Sequence, residues 1–220
     1  MSSPSSRQKH YLDDIRRSYD TLAEEYAKRI YHELAGKPFD RELLDNFAVR
    51  VRGQGQVCDF GCGPGHVGRY LFEHGADVSG LDLSPRMIGI ARSLNPRMTF
   101  RTGNMLALDL SDWSLRAITA FYAIVNLPPD SIERAFREMY RVLQPGGLLL
   151  LDFHVGNEIL HEEELWDLKI SMDFYMLNTK KMTDLLEKTG FHIEQATERE
   201  PYPEVEYPSR RAYILAQKPA

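Results

Sequence analysis

The chain has 220 residues, a length typical of one domain, and carries 27 Lys and Arg against 32 Asp and Glu residues. The formal net charge of -5 gives no broad positive field, so we expect no nucleic-acid partner. Two cysteines exclude a disulfide framework, and no apolar run approaches the roughly 20 residues that span a bilayer. We therefore expect a cytoplasmic protein with no membrane partner, either a monomer or a homodimer.

The N-terminal part of the chain predicts a tail followed by helices. Small polar residues predict a disordered tail over residues 1–10, with the single domain at 11–220. Apolar positions spaced three and four residues apart predict a helix over 11–30, and a second helix is predicted over 38–51. Residues 11–52 are thus expected to form a helical cover, or lid, ahead of the first strand.

From residue 56 onward, strand-like and helix-like segments alternate, as in a parallel sheet with crossover helices. The predicted strands are 56–60, 76–81, 97–102, 116–122 and 148–154, and the predicted helices are 65–74, 84–93 and 129–143. Residues 148–151 are all leucine, which predicts a strand covered on both faces.

Beyond His154 the alternation of strands and helices changes. The predicted segments are a charged stretch at 158–167, a strand at 169–177, a helix at 178–189 and strands at 191–199 and 211–217. His161 and the three glutamates after it suggest the solvated start of a helix. The connection between the last two strands is too short for a crossover helix, so they should pair antiparallel. Residues 155–178 are a possible substrate-lid insertion.

A glycine-rich loop follows the first predicted strand. Glycines alternate at Gly61, Gly63 and Gly65, two residues after the carboxylate of Asp59. A Cβ atom at such positions would hinder positive φ values or hold a ligand away from the backbone amides. The loop also satisfies the dinucleotide pattern G-x-G-x-x-G, and Asp82 is suitably spaced to bind ribose hydroxyls. A nicotinamide-dependent oxidoreductase is therefore one candidate, although Asp59, the long helical segment ahead of the sheet and the final antiparallel pair count against it.

Four motifs in order resemble those of the class I S-adenosylmethionine-dependent methyltransferases, over nearly the whole chain from about Tyr19 to Gln217. They are Asp59-Phe60-Gly61-Cys62-Gly63-Pro64-Gly65, Gly80-Leu81-Asp82-Leu83-Ser84, Gly103-Asn104-Met105 and Arg141-Val142-Leu143-Gln144-Pro145-Gly146-Gly147. The resemblance implies a Rossmann-like α/β fold: a seven-stranded, mostly parallel sheet with an antiparallel terminal strand, helices on both faces and an N-terminal helical cover. Asn104 departs from the family, which commonly has aspartate there, but an amide can still donate and accept hydrogen bonds.

The same resemblance implies S-adenosylmethionine as methyl donor and S-adenosylhomocysteine as product. Asp59 would balance the ammonium group of the donor and Asp82 would accept its ribose hydroxyls. The other implied donor-binding residues are Tyr19, Tyr26, Gly61, Cys62, Gly63, Pro64, Gly65, Leu83, Met87, Asn104, Met105 and Phe121. Structural alternatives remain: Asp59 tying the loop to nearby amides, Asp82 capping the next helix, and the tyrosines and methionines simply packing.

Candidate acceptor-side residues follow the fourth and fifth strands, because open α/β sheets bind ligands at their carboxyl edge. His154 is the leading candidate for a substrate contact or general base, Tyr122 is a second catalytic candidate, and Asn126 is a substrate contact. Tyr202 and Arg210 are further substrate candidates, although acidic neighbours could instead pair with the arginine. The other histidines, His32, His66 and His161 among them, have weaker claims. No metal site is predicted, because neither C-x3-C nor the scattered histidines supply a ligand set.

The segment Asn126-Leu127-Pro128-Pro129 invites comparison with the Asn-Pro-Pro-aromatic motif of methyltransferases acting on nucleic-acid bases. It has one inserted residue and lacks the aromatic, and its prolines more simply begin a helix. The sequence therefore predicts methyl transfer from S-adenosylmethionine to a small-molecule O, N, S or C nucleophile, without identifying the acceptor. A non-catalytic protein that binds S-adenosylmethionine for regulation is the other alternative.

Overall fold

The computed structural model describes the backbone of residues 6–220 and the side chains of residues 11–220. Helix α1 spans Ser6–Ile30, so it begins before the predicted start at residue 11. The predicted tail is therefore wrong for residues 6–10, which are helical, and residues 1–5 of that tail lie outside the described residues. A short 3₁₀ turn at Glu33–Gly36 and helix α2, Pro38–Val51, complete the N-terminal helical segment.

The remaining elements alternate along the chain. The strands are β1 Gln56–Phe60, β2 Asp77–Asp82, β3 Thr99–Thr102, β4 Leu115–Phe121, β5 Leu143–His154, β6 Ile159–Leu165, β7 Leu168–Tyr175, β8 His192–Arg199 and β9 Arg211–Gln217. The helices are α3 His66–Glu73, α4 Pro85–Leu94, α5 Pro129–Val142 and α6 Thr179–Thr189. Within residues 6–220, no helix is both long enough and apolar enough to cross a membrane.

Seven strands form one sheet in the order β3-β2-β1-β4-β5-β9-β8. Strands β1 to β5 pair in parallel, whereas β9 is antiparallel to both of its neighbours, β5 and β8. Strand β9, the last in the chain, thus lies inside the sheet between β5 and the edge strand β8. The prediction of a Rossmann-like, mostly parallel seven-stranded sheet with an antiparallel terminal strand is confirmed.

The leucine run in β5 shows why both faces of the sheet are covered. Leu149 and Leu151 pack with residues of α5 and α6 in one buried cluster. Leu148 and Leu150 point to the opposite face, where they join residues of α2 and α3 in a second cluster. Strand β5 begins at Leu143 rather than at residue 148, because the predicted Pro-Gly-Gly break is a bulge inside the strand.

The structure differs from the sequence prediction at residues 158–167. The charged stretch is not a helix start, because β6 pairs antiparallel with β7 to form a separate hairpin. The two turn residues, Trp166 and Asp167, have φ values of 54° and 63°, as expected for a tight two-residue hairpin turn. Met172 of β7 is buried against Ile15 and Leu22 of α1, so the hairpin is held by the N-terminal helix.

Two glycine substitutions, one in strand β2 and one in helix α4, test how tightly each glycine is packed. A Cβ atom at Gly80 in β2 would lie 2.5 Å from the ring of Phe100 and 2.9 Å from the Cys62 sulfur. We expect Gly80→Ala to lower the free energy of unfolding by about 1–3 kcal/mol through overpacking. Gly89 in α4 has no atom within 4 Å of an added Cβ, so Gly89→Ala should instead stabilise by roughly 0.5–1 kcal/mol. Urea unfolding of both variants measures these changes in the free energy of unfolding. Equal changes in the two variants would contradict the expectation.

Candidate active site

A cavity lies at the carboxyl ends of β1, β2 and β4, under helix α1. We call it the main cavity; together with the open solvent at its mouth it contains about 700 Å³ of space. It brings together these predicted residues: Tyr19, Tyr26, Gly61, Gly63, Asp82, Leu83, Met87, Asn104, Met105, Phe121, Tyr122 and Asn126. Its other lining residues are Leu12, Ile15, Leu81, Gly103, Ala123 and Leu127.

The residues of the glycine loop have two roles: Gly61 allows a close approach beside the main cavity, whereas Pro64 and Gly65 pack against neighbouring residues. Gly61 has a φ of +64°, and a Cβ there would lie 2.7 Å from Cβ of Ala123, so only glycine allows this close approach beside the cavity. Gly65 and Pro64 line neither of the two cavities described in this subsection. Gly65 instead precedes α3 and packs against Phe100, and the Pro64 carbonyl accepts a hydrogen bond from Asn95 at 3.0 Å. The structure thus gives Pro64 and Gly65 supporting positions rather than ligand-facing ones, because the chain already turns into α3 there.

Asp82 lies at the end of β2 with its carboxylate buried at the edge of the main cavity. One oxygen accepts the backbone N–H of Gly63 at 2.9 Å, and the other accepts that of Ser84 at 2.8 Å. A carboxylate has about four acceptor sites, so the bonds to Gly63 and Ser84 do not exhaust it. Burial raises the pKa of this carboxyl, and hydrogen bonds from the backbone N–H groups of Ser84, Gly63 and Leu83 oppose that rise. A carboxylate at the cavity edge with acceptor capacity left is compatible with a ribose diol, and the residues present therefore suit the predicted donor.

Asp59 has the structural contacts that the alternative interpretation predicted. Its two oxygens accept hydrogen bonds from the Gly68 amide at 3.1 Å and the Thr119 hydroxyl at 2.8 Å, and it is only 2% exposed. Burial raises the pKa of this carboxyl to about 6, although Thr119 and His66 work in the other direction. Asp59 therefore ties β1 to β4 and α3, and its contact with a donor ammonium group stays a prediction.

The apolar side chains that line the main cavity suit a flat ring. Leu83, Met87 and Met105 line it together with Asn104. The side-chain oxygen of Asn104 accepts the Leu106 amide at 2.9 Å, which leaves the side-chain NH₂ as a donor. This set of apolar side chains and one amide is compatible with the predicted adenine contact.

Helix α1 lines the main cavity, and the hairpin β6–β7 contacts this helix. The Tyr19 hydroxyl donates to the side-chain oxygen of Asn126 at 2.8 Å, and the amide nitrogen of Asn126 donates to the Asp173 carbonyl in β7 at 2.8 Å. The ring of Tyr26 lies 6.0 Å from that of Tyr19 and 5.9 Å from that of Trp166 at the hairpin turn. The two segments predicted as lids therefore contact each other, but only α1 lines the cavity, and their role as lids stays a prediction.

Tyr122 contributes its ring to the main cavity. Its hydroxyl accepts a hydrogen bond from Nε of Arg211 at 3.2 Å, and Nζ of Lys37 lies 5.2 Å from the ring centroid. Its backbone has a positive φ of 50°, and its N–H donates to Asp152 at 2.6 Å. Burial and the Asp152 carboxyl raise the pKa of Tyr122 well above its usual value, so this hydroxyl is protonated at neutral pH. These contacts favour a positioning role over proton removal.

His154 lines neither cavity. Its ring lies 4.9 Å from that of Tyr122 and 5.9 Å from that of Tyr207, and its Nδ1 is 2.7 Å from the Ser209 hydroxyl. Burial, together with the positive charges of Arg211 and Lys37, lowers the pKa of His154 to about 4. The imidazole is thus neutral at physiological pH and lies behind Tyr122, so a direct substrate contact is not shown by this geometry.

Tyr202 and Arg210 are placed differently from their predicted role. The Tyr202 hydroxyl accepts the Phe39 amide at 3.0 Å, and Arg199 lies over its ring. Arg210 forms ion pairs with Glu198 at 2.7 Å and Glu200 at 3.2 Å, with half of its side chain exposed. Neither residue lines the main cavity, and the acidic neighbours already pair with the arginine, so the geometry gives no support to their prediction as substrate contacts.

A second, smaller cavity adjoins the main one, and we call it the side cavity. It contains two residues that the sequence did not single out as ligands, Glu33 and His66. His66 had only a weak claim, and Glu33 belongs to none of the sequence motifs and lies in the short 3₁₀ turn between α1 and α2. Their pairing joins the N-terminal segment to the start of α3, a non-local contact that no local pattern signals.

The depressed pKa of His154 predicts a pH dependence of stability. The unfolded histidine, with a pKa near 6.5, binds a proton that the folded one excludes until about pH 4. Burial of the neutral imidazole therefore costs no stability through protonation above pH 6.5. As the pH falls from 6.5 toward 4, the free energy of unfolding decreases by roughly 3 kcal/mol at most on account of His154. His154→Asn should flatten this loss in urea unfolding measured from pH 7 to 4.5. Asp59 titrates in both proteins, so the difference isolates His154, and parallel curves would contradict the expectation.

Comparisons with known proteins agree with this site. A family model described as a methyltransferase domain matches residues 57–147. The chain is 33% identical over 164 residues to an uncharacterized methyltransferase of Synechocystis sp., covering 70% of this chain and 74% of that protein. It is 36% identical over 158 residues to a malonyl-[acyl-carrier protein] O-methyltransferase of Pectobacterium atrosepticum, covering 66% of this chain and 61% of that protein.

The fold also matches solved structures. A methyltransferase structure from Methanosarcina mazei, named as dependent on S-adenosylmethionine, superposes with a TM-score of 0.70 at 18% identity, covering 79% of this chain and 97% of that one. The chain spans between 43% and 61% of the length of the malonyl-[acyl-carrier protein] O-methyltransferases compared with it. With the ordered motifs, the seven-stranded sheet and the donor-compatible cavity, these likenesses show that the chain belongs to the class I S-adenosylmethionine-dependent methyltransferases.

Proposed function

We propose that this protein transfers a methyl group from S-adenosylmethionine to an O, N, S or C nucleophile of a small-molecule acceptor. The observation that carries the proposal is the Asp82 carboxylate, which lies buried at the end of β2 in the lining of the main cavity, where it can accept a ribose hydroxyl. Bound S-adenosylmethionine supplies a methyl group on a positively charged sulfur, from which it can leave by in-line displacement.

The chain contributes orientation and exclusion of water. Asp82 would hold the ribose, the Gly61–Gly65 loop would allow close approach of the backbone, and Asn104 with its apolar neighbours would hold the adenine. The Tyr19–Asn126 hydrogen bond keeps α1 closed over the cavity, which limits hydrolysis of the reactive group. Holding the two reactants in line can supply roughly 7–11 kcal/mol of the barrier reduction.

The cavity favours acceptors that need no enzyme base. The hydroxyls of Tyr19, Tyr26 and Tyr122 have pKa values raised by burial, so they remain protonated. Asp82 is already bonded to two amides, and His154 lies behind Tyr122. We therefore expect a carboxylate, thiolate, unprotonated amine or stabilised carbanion as nucleophile, ahead of an unactivated alcohol. The name of the malonyl-[acyl-carrier protein] O-methyltransferases puts carboxyl oxygens first among acceptors to test.

The proposal keeps the wider expectations from the sequence. We propose a cytoplasmic enzyme, a monomer or homodimer, that acts without a nucleic-acid partner. A non-catalytic protein that binds S-adenosylmethionine for regulation is the main alternative, since donor binding alone would leave the same cavity. Binding and turnover therefore need separate tests.

Substitution of Asp82 tests donor binding. Loss of two hydrogen bonds to a charged group should weaken S-adenosylhomocysteine binding at least about a hundredfold in Asp82→Ala. Asp82→Asn, which preserves the side-chain volume, should weaken it less. Isothermal titration calorimetry measures both, with Asp77→Ala, an exposed position on the same strand, as matched control. Unchanged affinity in Asp82→Ala would contradict the assigned ribose contact. If the wild-type protein binds NAD and does not bind S-adenosylmethionine, the proposed function is wrong.

A screen of small acceptors tests turnover. Release of S-adenosylhomocysteine should be detected with a carboxylate, thiol, amine or activated carbon acid before any simple alcohol, because the main cavity offers no suited base. The rate should follow the ionisation of the acceptor itself as the pH is varied. Release from none of the nucleophile classes, with donor binding intact, would favour the regulatory alternative.

A further inference from the structure

The residues that line the main cavity fall into two groups. One group lies on the glycine loop, in residues 81–87 and in residues 103–105, where the motifs predict the donor. The other group lies on helix α1 and in residues 121–127, which end β4 and follow it. Within this second group, four aliphatic residues have no role so far: Leu12, Ile15, Ala123 and Leu127. The first group accounts for the ribose and the adenine, so these four are available to contact the acceptor.

Two hydrogen bonds hold α1 against the chain that follows β4. The Tyr11 hydroxyl lies 2.8 Å from that of Ser131 at the start of α5. The Tyr19 hydroxyl donates to the side-chain oxygen of Asn126 at 2.8 Å. The stretch of α1 between the two tyrosines is therefore held beside the segment after β4 at both of its ends.

The four aliphatic residues form one surface, which we call the apolar wall: Leu12, Ile15, Ala123 and Leu127. Leu12 connects its two halves, because it packs against the buried cluster that contains Leu127 and also against the one that contains Ile15. Ile15 and Leu127 are buried, whereas Leu12 and Ala123 are only partly buried. Apolar surface that faces a cavity is stabilised when carbon groups of a ligand cover it.

The main cavity offers little with which to bind a charged acceptor. Of the described residues that line it, Asp82 is the one with an acidic or basic side chain, and it lies at the end of β2. Asn126, which precedes Leu127, is already hydrogen-bonded to Tyr19 and to the Asp173 carbonyl. A charged or strongly polar group that is buried without a partner costs free energy, so the apolar wall disfavours it.

We propose that the apolar wall binds a hydrocarbon part of the acceptor. The acceptor class is then a small molecule in which the nucleophile is joined to an apolar carbon body. This binding role rests on the proposed methyl transfer and adds to it the kind of molecule that is methylated. Leu12 and Ile15 on α1, with Leu127 after β4, determine specificity by contact with that body.

Simple alcohols test the apolar wall without being substrates, because unactivated alcohols are not expected to be methylated. Calorimetry in the presence of saturating S-adenosylhomocysteine measures their binding. 1-Hexanol should bind about tenfold more tightly than 1-butanol, because each of the two added CH₂ groups contributes up to roughly fourfold when it is buried. 1,6-Hexanediol should bind at least about fivefold more weakly than 1-hexanol, since its second hydroxyl finds no partner on the wall.

Leu12→Gln tests whether the effect belongs to this wall, because it places an amide of similar size there. The preference for 1-hexanol over 1-butanol should fall to about threefold or less. The affinity for S-adenosylhomocysteine should stay within about twofold of wild type, which reports an intact donor site. Leu94→Gln is the matched control: it is 42% exposed at the end of α4 and does not line the main cavity, so it should keep the wild-type preference.

Two wild-type results would overturn the apolar acceptor and leave the proposed function standing. One is equal affinity for 1-butanol and 1-hexanol, and the other is 1,6-hexanediol bound as tightly as 1-hexanol. These comparisons need no variant, so they decide even if Leu12→Gln does not fold. An unchanged preference in folded Leu12→Gln, or an equal loss in Leu94→Gln, would overturn the role of the wall. Failure of the wild-type protein to bind S-adenosylhomocysteine would instead overturn the proposed function itself.

Discussion

The carboxylate of Asp82 is the contact on which the carboxyl edge of the sheet depends. It accepts the amide of Gly63 in the glycine loop and that of Ser84 at the start of α4. The Ser84 hydroxyl then bonds to Asp20 of α1 and accepts the Met87 amide, which caps α4. One buried charge thus fixes the loop, the helix start and the position of the lid relative to one another. Such charge-assisted bonds are shorter and stronger than neutral ones, so they suit a site that must hold its geometry before a ligand arrives.

The donor half of the site could be predicted from sequence because it is local. Strand, glycine loop, helix and the acidic end of the next strand lie within about thirty residues, and each carries its own signal in spacing or residue type. Asp82, Asn104 and Met105 lie in the main cavity where the motifs suggested. Strand β7 was predicted at 169–177, whereas β6, its partner in the hairpin, was not. The reason is physical: β6 is mostly solvated, so it lacks the apolar alternation that marks a half-buried strand.

The acceptor half depends on contacts between distant parts of the chain. Tyr122 was expected at the edge of the sheet, yet its orientation follows from its positive φ and from three ionisable partners. Lys37 comes from the N-terminal segment, Asp152 from β5 and Arg211 from β9. No spacing rule links those three positions. The same holds for Glu33 and His66, whose pairing brings the end of the lid segment to the glycine loop.

The buried charges around Tyr122 are better explained by positioning than by stability. Removing charges from water costs free energy that pairing only partly returns, so a buried ion pair is weak support for a fold. Here Arg199 and Arg211 surround Glu206, whose side chain is 1% exposed, and Lys37 lies 3.5 Å from the same carboxylate. Together they hold an aromatic residue in a backbone conformation that costs about 1–3 kcal/mol for a side chain of this kind. Tyr122 lines the main cavity, so the buried charges behind it fix the shape of that part of the cavity wall.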